Sequence, residues 1–268
     1  PPRSTLFPYT TLFRSNTTSS NNTACGFESM YSNVSGVSNT AYGAQSLYNT
    51  TAYYNTAIGY RALYENTTGY NNTALGFAAF SSGDNYMNST AIGFVTSITA
   101  SNQVRIGNSS VTSIGGQVAW TTVSDSRFKK AIQENVPGLD FIMNLKPVTY
   151  NLDLDKIAEF LNTPDELRLK DAEKIKGEML QTGFIAQDVE AAAKSLGFDF
   201  SGVDIPKNEN DFYGLRYAEF TVPLVKAVQE QQKMIELQKN DIELLKNENA
   251  ELKIMLKKIN DRLENSGK

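Results

Sequence analysis

The chain has no histidine and a single cysteine, Cys25, among its 268 residues. Without histidine there is no Ser-His-Asp or Cys-His catalysis, no His-ligated zinc and no imidazole pH switch. One cysteine forms neither an internal disulfide nor a cysteine-based metal cluster. Strong charge of either sign is missing too. The formal net charge is −4 and no basic stripe is present, which argues against a nucleic-acid partner. No apolar run approaches the roughly 18 residues a membrane span needs. Any catalysis therefore runs on Ser, Thr, Tyr, Lys or carboxylate groups, and nothing in the pattern asks for a cofactor or a metal.

What is present begins with a repeat. "NTACGF" at Asn22, "NTAYGA" at Asn39, "NTAIGY" at Asn55, "NTALGF" at Asn72 and "STAIGF" at Ser89 are one motif. Its glycines, Gly26, Gly43, Gly59, Gly76 and Gly93, are spaced 17, 16, 17 and 17 residues apart. A period this short cannot hold a helix pair; it suits one coil of a β-solenoid. The motif alanine and the Cys, Tyr, Ile or Leu after it supply small and medium apolar groups. Glycine supplies close backbone approach or positive φ, and Asn and Thr satisfy turn backbone and form ladders. A lone coil cannot bury its apolar face, so stacking, and association with other chains, must complete the core. The three carboxylates Glu28, Glu65 and Asp84 do not recur with the repeat, so a glycan hydrolase is poorly supported here. The preceding "PPRSTLFPYTTLFRS" shares nothing with the repeat and lacks the apolar core of a signal peptide. It is expected to be non-native.

Four further segments follow. Residues 16–94 are the repeats, and 95–123 read as a β-rich neck with short strands at Val104 and Ile106, at Val111, and at Val118 and Trp120. Residues 124–222 read as a small α/β (α+β) domain. Within it a helix ends near Leu145 and a strand covers Val148–Leu152. The charged stretch Asp171–Lys176 reads as a hairpin or loop. A strand at Gly183–Ala186 feeds a helix capped by Gln187 or Asp188 and closed at Gly197. In the last segment, 223–264, a heptad holds without a skip from Leu224 to Leu263. Its a positions are Val228, Ile235, Ile242, Asn249, Leu256 and Leu263, and its d positions are Leu224, Gln231, Gln238, Leu245, Leu252 and Ile259. This predicts a coiled coil, with the polar seam residues Gln231, Gln238 and Asn249 fixing register.

The boundary at residue 123 carries the candidate chemistry. "VSDSRFKKAIQEN" (Val123–Asn135) admits a structural reading, with Ser124 or Asp125 capping a helix and Lys129 on its solvated face. It also admits Ser124 as a nucleophile. A serine hydroxyl needs a base, and without histidine neutral lysine is the best remaining one. Lysine's ordinary pKa of about 10.4 leaves about one molecule in two thousand neutral at pH 7. Bringing it near neutrality costs about 4 kcal/mol, which demands burial or a neighbouring cation. Arg127 and Lys130 could supply like charge. Asp125 and Arg127 otherwise read as structural, an acceptor at a helix start and a clamp on a carboxylate.

Two resemblances attach to these motifs. The repeats over about Asn21–Phe94 resemble the heads of trimeric autotransporter adhesins, which implies a left-handed parallel β-roll assembled as a trimer. "SDSRFKK", "GFIAQDVE" and "YAEFTVPLVKAVQEQQKMIE", in this order over about Ser124–Leu256, resemble the C-terminal intramolecular chaperone of phage endosialidases and tail fibres, the peptidase S74 type. That resemblance implies a homotrimer whose chaperone domain winds the preceding β-structure into register and then cuts itself off. It implies Ser124 as nucleophile, Lys129 as base and Val123–Ser124 as the bond cut. It also implies a virion tail fibre or a bacterial cell-surface location, with a host receptor or glycan met by the repeats. The alternative within the same architecture is a permanent trimer that never cuts. A membrane-anchored transcription factor bearing a related domain is disfavoured by the missing basic DNA-binding domain and membrane span.

Overall fold

A computed structural model describes residues 18–266, with side chains to residue 262. The expectation for Pro1–Ser15 and the seam side chain of Leu263 lie outside the described residues. The chain forms two compact units. One holds residues 18–122 with Thr149–Gly183 and Ile205–Phe212; the other holds Val123–Val148, Phe184–Asp204 and residues 213–266.

The first unit is built on the repeat. Strands β1 (Thr23–Cys25), β2 (Thr40–Tyr42), β3 (Thr56–Ile58), β4 (Thr73–Leu75), β5 (Thr90–Ile92) and β6 (Val104–Ile106) form one sheet in chain order. Pairing is parallel and in register, with Thr23 opposite Thr40, then Thr56, Thr73, Thr90 and Val104. Each coil thus lays its motif on the same motif of the next.

The apolar residues of the motif divide between inside and outside. Ala41, Ala57, Ala74 and Ala91 are fully buried, and Met30, Leu47, Leu63 and Phe80 fill the interior beside them. The residues after the alanines face out instead, with Tyr42, Ile58, Leu75 and Ile92 all exposed. Strand alternation sends neighbours to opposite faces. Phe27, Tyr60, Phe77 and Phe94 add a second exposed apolar row. Tyr31, Tyr48 and Tyr64 stack as a column at 4.9 and 5.1 Å.

A buried asparagine ladder runs along the coils. The Asn39 backbone amide donates to Asn22 Oδ1 (2.8 Å), Asn55 to Asn39 (2.9 Å), Asn72 to Asn55 (3.0 Å) and Ser89 to Asn72 (3.0 Å). The Nδ2 groups of Asn39, Asn55 and Asn72 donate to turn carbonyls at Ala52, Gly69 and Tyr86. Each side chain therefore answers groups from two coils. Asn55→Ala leaves the Asn72 amide without a partner in the interior, while the Gly69 carbonyl keeps its bond from Asn66 Nδ2. At roughly 1–3 kcal/mol per orphaned group the expected loss is about 2 kcal/mol, read as a lower urea midpoint.

The strand reading at Val104 and Ile106 is correct, but that strand is the sixth rung of the solenoid. No strand forms at Val111, Val118 or Trp120. Their side chains are exposed, so nothing in the single chain organises an alternating pattern there.

Beyond the solenoid come α1 (Leu139–Asn144), β7 (Val148–Tyr150), α2 (Leu154–Phe160), α3 (Lys170–Glu178), β8 (Gln181–Gly183), α4 (Ala186–Ser195), β9 (Val203–Asp204), β10 (Gly214–Leu215) and α5 (Thr221–Ser266). β7 pairs with β8, and β9 pairs antiparallel with β10. The helix ending near Leu145 and the strand at Val148 form as expected. Asp171–Lys176, expected as a loop or hairpin, is instead inside α3. The Arg168 guanidinium donates to Glu173 Oε2 at 2.6 and 2.9 Å and to Asp155 at 2.6 Å, and Glu173 is buried. An ion-pair cluster that reaches back to Asp155 holds a helix most of whose residues are charged. α4 starts at Ala186 with no side-chain cap, so neither Gln187 nor Asp188 plays that part; Gly197, at φ +63°, closes it as expected.

In the second unit α1, α4 and the start of α5 surround an aromatic core. Phe141 meets Phe200 edge-on at 5.0 Å, and Phe200 meets Phe220 likewise at 4.9 Å. Glu230 Oε2 of α5 accepts from the Leu139 amide (2.7 Å), answering one free donor at the α1 N-terminus. α5 continues as one helix with Leu224, Val228, Ile235, Ile242, Leu245, Leu252, Leu256 and Ile259 exposed. The expected heptad seam is therefore an unpartnered apolar stripe on the single chain.

Candidate active site

The segment from Val123 to Lys130 lies in the second unit, and its local fold follows from its short polar side chains. Asp125 is extended (φ −70°, ψ 131°), and its carboxylate accepts from the Arg127 amide at 2.9 Å, opening a 3-10 turn over Ser126–Phe128. Asp125 is thus a cap, as the structural reading expects. The helix does not continue. Lys129 is extended (φ −103°, ψ 136°) and Ala131 takes φ +52°.

Arg127 clamps the carboxylate of its own chain. Its Nε donates to Asp125 Oδ1 at 3.1 Å and its Nη2 to Oδ2 at 2.6 Å, a bidentate pair. The guanidinium, then the Arg127 amide, hold the Asp125 carboxyl below its ordinary value. The pair is solvent-facing, so its role is to brace the turn rather than to supply much stability.

A single turn followed by extended chain brings position 129 back over position 124. Lys129 Nζ donates to Ser124 Oγ at 2.9 Å. Lys130 is also exposed and is not hydrogen-bonded to the serine. The structure therefore joins Ser124 with Lys129 and Asp125 with Arg127, and leaves Lys130 outside both pairs. For Lys129 to act as a base its amine must first lose a proton, after which the same hydrogen bond reverses and Oγ donates. Among the described residues the site is uncovered: Val123, Ser124, Phe128, Lys129 and Ile132 are all exposed.

A second polar cluster in the first unit escaped the sequence reading. Asp211 is buried and accepts from Thr99 Oγ1 at 2.6 Å and Gln103 Nε2 at 3.3 Å, with Arg105 Nη2 at 3.8 Å. Burial pushes its carboxyl up. Hydrogen bonds from Thr99, from the Lys207 and Phe212 amides and from Gln103 outweigh that and hold it below its ordinary value. The available signal was Arg105, standing where every earlier coil has alanine.

Among the described residues no group of three or more His, Cys, Asp or Glu side chains could hold a metal ion. No helix there is long and apolar enough to cross a membrane. Residues 124–198 match the family model for peptidase S74, described as chaperone of endosialidase. The match begins at Ser124 and ends at residue 198, short of the Leu256 to which the motif resemblance extends. No curated protein and no solved structure gives a significant match to the chain. The segment that follows the β-solenoid, beginning at the serine hydrogen-bonded to Lys129, is thus similar to the chaperone-of-endosialidase family over residues 124–198.

Proposed function

We propose that the chain is a homotrimeric fibre or adhesin-like protein. The part beyond Ser124 assembles three copies, winds the β-structured N-terminal part into register and then cuts the Val123–Ser124 bond. The observation that carries the cut is the 2.9 Å hydrogen bond between Lys129 Nζ and Ser124 Oγ at the first residue of the family match. Neutral Lys129 takes the Oγ proton as Oγ attacks the Val123 carbonyl. The amide C–N bond breaks, an ester forms in its place, and the proton passes to the freed Ser124 amine. Water then opens the ester, giving the Val123 carboxylate and restoring the Ser124 hydroxyl. One turnover per chain suffices, so a slow site is adequate.

Trimer assembly is supported by three sets of uncovered apolar side chains: the α5 seam, the two outer rows of the solenoid, and Val123, Phe128 and Ile132 beside the scissile bond. A single chain that leaves so much apolar surface bare has the character of a subunit. Covering the last set would also desolvate Lys129, which favours its neutral form and couples cutting to assembly. The reading places the protein on a virion tail or a bacterial surface, with the solenoid meeting a receptor or glycan.

Expression of the full chain should give a smaller fragment whose N-terminus is Ser124, and Ser124→Ala should stay whole. An uncut wild-type chain that still forms trimers would favour a permanent structural trimer instead.

A further inference from the structure

The middle residue of each solenoid strand is alanine in β1 through β5 and Arg105 in β6, directly opposite Ala91. An arginine at the end of an apolar column is unfavourable unless its charge is answered. β6 is also the last strand of the sheet, where a parallel stack ends in unpaired backbone groups and needs a cover. The arginine is answered by one short stretch of the same compact unit, Ile205–Phe212, which also reaches a backbone carbonyl of the last coil at Thr99.

The fit is specific in charge and in shape. The Asp211 side chain is 5% exposed; Oδ1 takes the Thr99, Gln103 and Arg105 contacts, while Oδ2 accepts from the Lys207 amide at 3.2 Å. Asn208 Nδ2 donates to the Thr99 carbonyl at 2.9 Å. The Arg105 guanidinium lies 4.6 Å from the centre of the Phe212 ring. Thr99, Gln103 and Arg105 all belong to the last coil, and the groups answering them all lie beyond Ser124 in sequence.

We propose that Ile205–Phe212 is the cap of the solenoid, with Asp211 as its anchoring side chain and Arg105 as the socket. The chaperone half of the chain thereby holds the coil on which the others stack. Arg105 replaces the repeat's alanine because this coil receives a carboxylate rather than another coil. The assignment deepens the proposed chaperone role but does not depend on the cut.

The test uses the full chain carrying Ser124→Ala, so that self-cutting or its failure does not enter the result. Hydrogen exchange is followed at the amides of β5 and β6 and, as internal reference, of β1 and β2. Asp211→Ala should speed exchange at β6 and β5 by tenfold or more before β1 and β2 respond. Asp211→Asn, which keeps an oxygen for Thr99 but loses the charge, should act in the same direction and more weakly, and serves where the alanine variant does not fold. Arg105→Ala restores the repeat's residue, and in that background Asp211→Ala should add less than threefold. The proposal is overturned by unchanged exchange at β6 in both Asp211 variants. It is equally overturned by acceleration uniform over all strands, or by an undiminished effect of Asp211→Ala beside Arg105→Ala.

Discussion

Lys129→Ala should leave the chain whole, while Lys130→Ala still yields the Ser124-initiated fragment. The two lysines are adjacent and both exposed, so charge alone does not separate them. Geometry does: only Lys129 Nζ reaches Ser124 Oγ. Removing a general base costs about 10²- to 10⁴-fold in rate, which turns complete cutting during expression into an undetectable amount. Lys130→Ala should slow cutting by less than about tenfold, through loss of a nearby like charge. Lys129→Arg is the sharper variant. It keeps the positive charge and the hydrogen bond to Oγ but cannot be deprotonated in a protein. An electrostatic or structural lysine would tolerate arginine; a base would not. Fragment yield on a gel, with the N-terminus identified, separates the outcomes, and cutting by Lys129→Arg would remove the base assignment. If other chains must cover Lys129, dilution to monomer should also stop cutting in the wild type.

The largest loss of stability is expected from Gly43→Ala. Gly43 sits at φ +134°, a region open essentially to glycine alone, and the equivalent Gly26, Gly59 and Gly76 lie within a few degrees of it. A Cβ here would also lie 2.6 Å from the Gly59 carbonyl oxygen and 2.7 Å from its carbon. The obstruction is backbone of the next coil, so no rotamer change relieves it. Moving that coil would break the Asn55 and Asn72 rungs of the buried ladder. Strain of roughly 1–3 kcal/mol adds to the clash, giving a total of about 4 kcal/mol. Gly115 is the control: an added Cβ meets nothing within 4 Å, and the change should stay within about 0.5 kcal/mol. Urea midpoints of the two variants check the contrast. Equal midpoints would mean that the coils can separate without cost.

How legible each part was in the sequence follows from how local its causes are. The solenoid was legible because stacking forces the same residue to recur at the same position: alanine for the interior, glycine for close approach, asparagine for the ladder. Its lateral polarity was not, since nothing in "TAYG" or "TAIG" says which apolar residue faces out until alternation is fixed by the strand. α3 was missed because Arg168, which holds Glu173, is itself held by Asp155, and Asp155 lies outside any short window around Asp171. At the candidate site the Asp125 cap was legible from residue type. That the helix stops after one turn was not, and this stop is what folds Lys129 back onto Ser124. Arg105 was visible as a break in the repeat, but its partner lies about a hundred residues away.

The strict in-register stacking of the coils has a consequence for how such a chain can change. Each internal coil makes the same contacts above and below itself, so a stretch such as 39–54 can be copied or deleted and its neighbours still find Thr against Thr and Asn against Asn. Length is thereby freed from fold. Each duplicated unit extends the rod by about 4.8 Å, leaving Arg105 and everything after it as an unaltered terminus. A gene encoding such a rod can tune its reach by unequal recombination within the coding repeat, one step at a time.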